Sequence, residues 1–230
     1  MSSPGTPSGQ SGSHPLEPAP PSAAVVFGDR LGPAEKYAGL LAGAGVLRGV
    51  IGPREPGKIW TRHLLNCAVI AELFQPGCRV VDVGSGAGLP GIAVALARPD
   101  LHVDLVEPLQ RRVEFLAEAV DTLELTGQVR VVRGRAEDLV AEVGGADWVC
   151  ARAVAPVDRL VRWCLPLLAG SGRLGLMKGA GAADELAQHR SALRRAGAGS
   201  AQVVTCGVGL VEPPVRVVTV DAPVTRRGNG

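Results

Sequence analysis

The residues with the clearest chemical potential are closely spaced glycines at the end of an apolar segment. Gly84, Gly86 and Gly88 stand at alternate positions directly after residues 80–83, and Pro90 begins the helical pattern that follows. Glycine tolerates positive φ and lets a ligand approach the backbone closely. The first turn of a helix also offers unpaired N–H groups to a polar ligand. The spacing therefore predicts a cofactor-binding turn between a strand and a helix.

Acidic residues near this turn favour one class of cofactor. Gly86, Gly88 and Gly91 also fit the dinucleotide pattern GxGxxG. Glu107, about 20 residues further on, could accept hydrogen bonds from the ribose of either NAD or S-adenosylmethionine. Asp82 lies just before the glycines, where a carboxylate suits a cationic amino-acid group and would repel a pyrophosphate. Asp82 therefore favours S-adenosylmethionine.

A third acidic position follows the apolar segment 129–133. Glu137 and Asp138 stand where the carboxyl end of that segment would face the same crevice, and a carboxylate there can accept a hydrogen bond from an adenine amino group. The acidic positions together favour S-adenosylmethionine over a dinucleotide. Asp138 fits the first turn of a helix equally well, so its role stays open.

Short β-rich segments alternate with helical patterns between residues 79 and 196. Strands are predicted at 79–83, 102–107, 129–133, 147–151 and 172–177, and helices near 90–97, 109–125, 137–143, 156–168 and 182–196. Nearly continuous apolar strands are typical of a parallel sheet that is covered on both faces. The alternation predicts an α/β fold with right-handed crossovers.

The last two β-rich segments depart from this alternation. Residues 202–211 and 216–220 are joined by Glu212-Pro213-Pro214, which leaves no room for a helix and predicts an antiparallel hairpin. By fold-level analogy, a mostly parallel sheet that ends in such a hairpin is the Rossmann-like class I methyltransferase fold rather than the dehydrogenase fold.

Four segments differ in composition along the chain. Residues 1–26 are rich in Ser, Pro and Gly and are predicted to be disordered, as is the tail 222–230. Residues 27–75 form a predicted helical extension, with one helix whose apolar face includes Leu31, Tyr37, Leu40, Leu41 and Leu47 and a second helix near 59–74. The methyltransferase domain is predicted at 76–221.

Composition excludes several other classes of protein. The chain has 230 residues, of which 46% are hydrophobic and 20% charged, as expected for one domain with an extension. It lacks the roughly 18 consecutive apolar residues of a membrane span, and its N-terminus does not resemble a signal peptide. Its five scattered cysteines predict neither a disulfide framework nor a zinc site. We therefore expect a cytoplasmic protein without a metal.

Several motifs make the chain similar to the RsmG family, also called glucose-inhibited division protein B, of bacterial 16S ribosomal RNA guanine-N7 methyltransferases. The similarity covers about residues 31–221. The motifs are Arg62-His63-Leu64-Leu65, Asp82-Val83-Gly84-Ser85-Gly86-Ala87-Gly88-Leu89-Pro90-Gly91, Arg111-Arg112-Val113-Glu114-Phe115-Leu116, Arg135-Ala136-Glu137, Ala151-Arg152-Ala153 and Lys178-Gly179. Asn66-Cys67 and Glu107 depart from some relatives, which carry Asp-Ser and Asp there.

The resemblance implies a cofactor, a substrate and site residues. It implies S-adenosylmethionine bound at Gly84, Leu89, Ala136, Glu137 and Arg152. It also implies methylation of a guanine N7 in the decoding-region loop of the small ribosomal subunit. The partner would be 16S ribosomal RNA, the small subunit or its assembly intermediate, and we expect a monomer.

The chemistry of such a transfer requires no general base. Guanine N7 has a free lone pair and no proton to lose, so the enzyme mainly aligns donor and acceptor and excludes water. The Asn/Asp-Pro-Pro-aromatic motif of exocyclic-amine methylation is absent after the fourth strand, where Cys150-Ala151-Arg152-Ala153 stands instead. Cys150 lies in an apolar strand and is interpreted as a small buried residue rather than a nucleophile.

Basic residues could position the substrate. Arg152 ends the fourth strand and could contact the guanine, the cofactor carboxylate or a phosphate, or could form a surface salt bridge. Arg62 and His63 could hold RNA phosphate or be exposed charges on a helix. A basic rim is predicted from Arg111, Arg112, Arg130, Arg133, Arg135, Arg159 and Arg162. Trp148 and Trp163 are predicted to belong to the core.

Three other functions share parts of these patterns. A small-molecule methyltransferase would share the cofactor site, and an NAD oxidoreductase would share the glycines. A non-catalytic RNA-binding assembly module would bind both ligands without transferring a methyl group. Only binding and turnover measurements separate these functions.

Overall fold

Seven strands form one sheet in the order β3-β2-β1-β4-β5-β7-β6. The computed structural model describes residues 15–152 and 155–223, so Ala153, most of the predicted N-terminal arm and residues 224–230 of the tail lie outside it. The strands are β1 Arg79–Val83, β2 His102–Glu107, β3 Val129–Arg133, β4 Ala146–Arg152, β5 Leu168–Lys178, β6 Ala201–Cys206 and β7 Val215–Asp221. Strands β1–β5 pair in parallel, and β7 is antiparallel to both β5 and β6. The predicted mostly parallel sheet with a terminal antiparallel hairpin is confirmed.

Helices cover both faces of this sheet. They are α1 Pro21–Phe27, α2 Leu31–Leu40, α3 Leu65–Ala68, α4 Gly91–Ala97, α5 Gln110–Thr122, α6 Val140–Val143, α7 Val157–Cys164 and α8 Ala182–Arg195. The N-terminal helices, α4 and α5 share one buried apolar cluster, and α6, α7 and α8 share a second cluster on the opposite face. The alternation of side chains along β1 explains this division, because Val80 contributes to the first cluster and Val81 to the second.

The first three strands have the bounds that the sequence predicts, whereas the later ones differ. Strands β4 and β5 extend beyond the predicted 147–151 and 172–177. Strand β6 stops at Cys206 instead of continuing to residue 211. Gly207 ends it with a φ of 72°, and a Cβ atom at this position would lie 2.8 Å from Val69 Cγ2. The chain therefore turns here because only glycine fits both the backbone angle and the space.

The N-terminal extension is longer than the sequence predicts. Pro21–Phe27 form helix α1, although the composition predicts disorder up to residue 26. Ala23 and Phe27 are buried, and the ring of Phe27 meets Trp60 edge-on with centroids 6.1 Å apart. These apolar contacts offset the entropy of ordering the segment, which its average composition does not reveal.

The two predicted extension helices are present with irregular turns. Helix α2 continues as a π-helical turn over Leu41–Gly45. The second predicted helix is π-helical over Ile59–Leu64, α-helical in α3 and 3₁₀-helical over Val69–Leu73. Leu47 is 88% exposed and does not join the apolar face assigned to it.

Helix α4 explains why the extension is needed. All residues from Gly91 to Leu96 are buried, so this short helix is covered on every side. A helix without a polar face must lie between two layers of protein. The sheet covers one side of α4 and the N-terminal helices cover the other, which brings the extension against the glycine turn that precedes α4.

Candidate active site

The glycine turn occupies the edge where β1 ends and α4 begins. Gly88 has a φ of 93°, and a Cβ atom there would lie 2.5 Å from Ile92 Cδ1 and 2.8 Å from the Tyr37 hydroxyl. A Cβ atom on Gly91 would overlap Leu105 Cδ2 and would lie 2.8 Å from Asp82 Oδ2. These two glycines are therefore required by close packing behind the turn, in addition to any contact with a ligand.

The N-terminal extension holds the turn through one buried hydrogen bond. The Tyr37 hydroxyl on α2 donates to the backbone oxygen of Ala87 at 2.6 Å. Burial raises the pKa of Tyr37 well above its usual value, so the hydroxyl remains protonated and able to donate. The helical extension and the glycine turn thus form one connected unit.

Asp82 supports the turn from beneath it. The side chain is fully buried, and its Oδ2 accepts the backbone N–H of Gly91 at 2.9 Å. Ser85 Oγ donates to the backbone oxygen of Asp82 at 2.9 Å. Asp82 Oδ1 has no hydrogen-bond partner among the described residues. Burial raises the pKa of Asp82 to about 7. Asp82 lies behind the turn rather than on a cavity wall, so its predicted contact with a cofactor stays a prediction.

Glu107 ties the end of β2 to the glycine turn. Its carboxylate is 1% exposed and accepts two backbone N–H groups, from Gly86 at 2.9 Å and from Leu109 at 3.0 Å. The guanidinium of Arg112 lies 3.6 Å away. Each carboxylate oxygen can accept more than one hydrogen bond, so Glu107 can still accept from the hydroxyls of a ligand.

A cavity of about 350 Å³ opens beside Glu107 at the carboxyl ends of β1, β2 and β3. We call it the first cavity. It combines apolar walls with a few polar groups, and its lining residues are Val83, Gly84, Val106, Glu107, Pro108, Leu109, Arg112, Gly134, Arg135, Ala136, Glu137 and Trp163. Trp148 is buried as predicted, whereas Trp163 is only partly buried, because it packs against the second apolar cluster and also lines this cavity.

Four of the predicted cofactor residues line the first cavity, namely Gly84, Glu107, Ala136 and Glu137. Gly86 and Leu89 belong to the adjacent turn without lining it. Asp138 is exposed and is not among the lining residues, which agrees with its alternative interpretation as a first-turn acid. The sequence therefore locates this cavity, and the predicted cofactor contacts of the other residues stay predictions.

A second cavity of about 370 Å³ opens on the other side of the glycine turn, at the ends of β4, β5 and β7. It is basic, and its lining residues are Arg62, Asn66, Arg152, Met177, Lys178, Gly179, Ala180, Pro213, Pro214, Val215 and Arg216. The predicted candidates Arg62 and Arg152 are thus brought together. Sequence reasoning misses Arg216 and the proline pair, although the predicted hairpin indicates that its loop returns to this edge.

His63 is buried beside the second cavity instead of facing it. It is 6% exposed, and its Nδ1 lies 2.5 Å from an N–H group of Arg152 while its Nε2 lies 2.6 Å from Glu55 Oε2. Arg152 also donates to Cys67 Sγ at 3.0 Å. Among the predicted positioning residues, Arg62 is therefore the exposed cation, and His63 is a partner of Arg152.

The predicted basic rim is divided by the fold. Arg112 and Arg135 line the first cavity. Arg130 does not belong to a rim, because it pairs with buried Asp104 at 2.7 Å together with Arg79. Arg162 pairs with Asp158 at 3.2 Å, away from both cavities. The pairing register of the strands decides which of these arginines face a cavity, and the sequence does not specify that register. Arg111, Arg133 and Arg159 are exposed.

Two further properties of the described part of the chain bear on its chemistry. None of its helices is both long enough and apolar enough to cross a membrane. Within residues 15–152 and 155–223, no cluster of three or more His, Cys, Asp or Glu side chains is arranged to hold a metal ion. All five cysteines are free and buried, including Cys150, as the sequence predicts.

Comparison with known proteins identifies the family. A family model described as GidB, rRNA small subunit methyltransferase G, matches residues 31–211. The chain belongs to this family. A relative named "Ribosomal RNA small subunit methyltransferase G" from Salinispora arenicola is 56% identical over 218 residues, which cover 90% of this chain and 89% of the relative. The chain is therefore a methyltransferase, and S-adenosylmethionine is the methyl donor of its class. The predicted family is confirmed.

Solved structures agree on the fold. TYW2 from M. jannaschii, solved in complex with AdoMet, has a TM-score of 0.53 and 19% identity, covering 71% of this chain and 76% of that one. The [4+2]-cyclase SpnF has a TM-score of 0.57 and 18% identity, covering 92% and 100%. A cyclase and an rRNA methyltransferase family thus share one architecture, so the activity must be argued from the site.

Proposed function

We propose that this methyltransferase transfers a methyl group to N7 of a guanine in the decoding-region loop of 16S ribosomal RNA. One observation carries the proposal: two cavities of different character flank the point between β1 and β4 where the strand order reverses. Ligands of open α/β sheets bind at this switch point, outside the carboxyl ends of the strands. A donor site and an acceptor site on either side of it would face each other across the glycine turn. The name of the relative, which refers to small-subunit ribosomal RNA, supports RNA as the acceptor.

The first cavity fits the adenosine part of S-adenosylmethionine. The Glu107 carboxylate can accept hydrogen bonds from a ribose diol, and Glu137 can accept one from an adenine amino group. Val106, Leu109 and Trp163 offer apolar surface for the faces of a purine ring. We assign the cofactor to this cavity, with Gly84 and Ala136 in backbone contact.

The remaining predicted cofactor residues surround the glycine turn. Gly86 and Leu89 belong to the turn itself, and Asp82 holds its far end through Gly91. Arg152 ends β4 across the switch point and can meet the amino-acid end of the cofactor or the substrate. Because Asp82 is fully buried, this assignment has it support the cofactor site mainly by holding the glycine turn in place.

The second cavity fits an RNA nucleotide. Arg62, Arg152, Lys178 and Arg216 supply positive charge. Lys178 is already engaged, since it donates to Glu185 Oε1 at 2.9 Å and to Ala155 O at 2.8 Å. Arg62 has a side chain that is 60% exposed and is the better candidate for a phosphate contact. This charge pattern favours a polyanionic acceptor over a neutral small molecule.

The mechanism needs orientation rather than proton removal. Bound S-adenosylmethionine supplies a methyl group on a sulfonium centre. Guanine N7 has a lone pair and no proton, so no side chain has to act as a base. Arg152 can orient the nucleotide, and the walls of both cavities exclude water from the reacting atoms. The buried Cys150, whose pKa is raised well above its usual value by burial, does not serve as a nucleophile.

The test is methyl transfer from labelled S-adenosylmethionine to undermethylated 16S RNA, followed by mapping of the labelled nucleotide. A matched RNA fragment with 7-deazaguanine at the mapped position should accept no label, because the accepting nitrogen is replaced by carbon. Label on another atom or base would overturn the N7 assignment. Turnover without RNA would indicate a small-molecule methyltransferase, and binding of both ligands without transfer would indicate an assembly module.

A paired substitution tests the second cavity. Arg152→Ala should lower the rate of methyl transfer on the order of 100-fold, as misplacement of a reacting group does. The matched control is Arg173→Ala, which removes an exposed arginine paired with Asp221 at 2.9 Å outside both cavities. Equal rates for the two variants would remove Arg152 from the proposal.

Location, assembly and the form of the substrate complete the proposal. We infer that the chain acts in the cytoplasm as a monomer, on naked 16S RNA, the small subunit or an assembly intermediate. Comparison of these three substrates at equal concentration in the same assay would identify the preferred one.

A further inference from the structure

Four side chains form a continuous line from the N-terminal extension to the wall of the second cavity. Glu55 Oε2 lies 2.6 Å from His63 Nε2, and His63 Nδ1 lies 2.5 Å from a terminal nitrogen of Arg152. The other terminal nitrogen of Arg152 lies 3.0 Å from Cys67 Sγ. The sequence alone does not point to Glu55, because this residue lies in a Gly/Pro-rich link without regular periodicity.

The chemistry of the two end groups fixes the direction of these hydrogen bonds. An ionised carboxylate only accepts, and a guanidinium only donates. His63 must therefore carry its proton on Nε2, which donates to Glu55, and must present the lone pair of Nδ1 to Arg152. The hydrogen bond from His63 lowers the pKa of Glu55, which keeps that carboxylate ionised. Burial, followed by the charge of Arg152, lowers the pKa of His63 and keeps the imidazole neutral.

We propose that Glu55 is a positioning residue, which fixes the tautomer of His63 so that the imidazole holds the Arg152 guanidinium at the wall of the second cavity. The inference rests on the proposed function and takes the substrate contact, rather than the cofactor contact, as the role of Arg152. An arginine has five N–H donors. The contacts to His63 and Cys67 occupy one donor on each terminal nitrogen and leave others for a nucleotide.

Glu55 and Arg152 lie in different layers of the fold, so the proposed role links the extension to the sheet. Glu55 immediately precedes the turn Pro56–Lys58, whereas Arg152 ends β4 of the sheet. The two are connected only through His63 in this line, so the imidazole transmits the orientation from one layer to the other. Arg62, next to His63 in the chain, is 3.9 Å from Glu55 Oε1 and is the weaker partner of that carboxylate.

The experiment compares Glu55→Gln with two other variants of the full chain. The side-chain amide introduced by Glu55→Gln can donate as well as accept, so it no longer enforces the Nε2–H form. Glu55→Asp keeps an acceptor-only group and should keep that form. Glu118→Gln is the matched control, because it removes a carboxylate from a surface pair with Arg48 at 2.6 Å. Each variant is checked for folding by thermal unfolding before use.

Three readouts separate positioning from a structural role. Nitrogen NMR of the histidine rings should show the Nε2–H form of His63 in the wild type and in Glu55→Asp, and a mixture of tautomers in Glu55→Gln. Glu55→Gln should lower kcat/KM for 16S RNA about 10-fold, by analogy with the lower end of the effect that outer partners of metal-ligating histidines have. Its Kd for S-adenosylmethionine, measured by calorimetry, should stay within about 2-fold of the wild-type value, a negligible change in free energy, because Glu55 does not line the first cavity.

Two results would overturn the inference. One is an Nδ1–H tautomer of His63 in the wild type, and the other is equal kinetics for Glu55→Gln and Glu118→Gln. The tautomer is measured without RNA and does not depend on the proposed function. If the wild-type enzyme labels no ribosomal RNA, the proposed function fails and the NMR result alone decides the role of Glu55.

Discussion

The buried carboxyl of Asp82 makes the stability of the protein depend on pH in a direction opposite to most acids. Burial raises the pKa of Asp82 from 3.8 to about 7 in the folded state. The unfolded chain therefore loses its proton near pH 4, whereas the folded chain keeps it until about pH 7. Between these values, each rise of one pH unit favours the unfolded state by about 1.4 kcal/mol. Over the whole window the penalty reaches about 4 kcal/mol.

Asp82→Asn removes this titration while it preserves the shape of the site. The amide oxygen can still accept the N–H of Gly91, and the amide nitrogen takes the place of Oδ1, which has no partner among the described residues. The unpartnered amide adds a constant cost of about 1–3 kcal/mol. The diagnostic quantity is therefore the pH dependence of the difference between variant and wild type, rather than its size at one pH.

The assay is urea unfolding of both proteins without ligand at intervals between pH 4.5 and 8.5. The difference in free energy of unfolding, Asp82→Asn minus wild type, should rise with pH up to about 7 and then level off. The control is Asp100→Asn, because hydrogen bonds from Arg98 and Gly77 lower the pKa of that exposed carboxyl, and its difference should stay flat. A flat difference for Asp82 would refute the reasoning, since it would mean that the buried carboxyl is ionised throughout.

Three further predictions concern the extension and the charged wall of the second cavity. Tyr37→Phe removes the donor to the Ala87 carbonyl and should lower the free energy of unfolding by about 1–3 kcal/mol, with weaker binding of S-adenosylmethionine in calorimetry. Glu17→Ala removes the acceptor of the two N–H groups that begin the helix at Trp60 and should cost about 1 kcal/mol in chemical unfolding. Replacement of Arg62 and Arg216 by alanine should reduce the slope of log affinity for RNA against log salt by about 0.7–0.9 for each phosphate that is no longer bound, and an unchanged slope would contradict a phosphate role.

The sheet and the first cavity could be predicted because their signals are local. Strand β1 is followed by Gly84, β2 ends in Glu107 and β3 is followed by Gly134, and parallel strands bring those ends to one edge. Three strands therefore have the bounds that their residues indicate. Glu107 and Glu137 line the first cavity for the same reason, since Glu107 ends β2 and Glu137 follows β3.

The parts that could not be predicted depend on contacts between distant segments. Asp82 is next to the glycines in sequence, but the packing of α4 against Leu105 turns its carboxyl into a buried support for the turn. Arg130 belongs to the same run of arginines as the rim residues, yet the register of β2 and β3 places it opposite Asp104. Side-chain direction within a strand follows a two-residue period, so Arg130 and Arg133, three residues apart in β3, point to opposite faces.

The N-terminal extension contacts the switch point through two separate residues, and both of its helical segments contain irregular turns. Tyr37 reaches the glycine turn beside the first cavity, whereas His63 reaches Arg152 beside the second. Regular helices present side chains at fixed intervals of about 100°, so one rigid pair of helices would have to satisfy both contacts with a single geometry. The π-helical turns at Leu41–Gly45 and Ile59–Leu64 change the rotation along each helix. The extension thus covers α4 with apolar residues while Tyr37 contacts the glycine turn and His63 contacts Arg152.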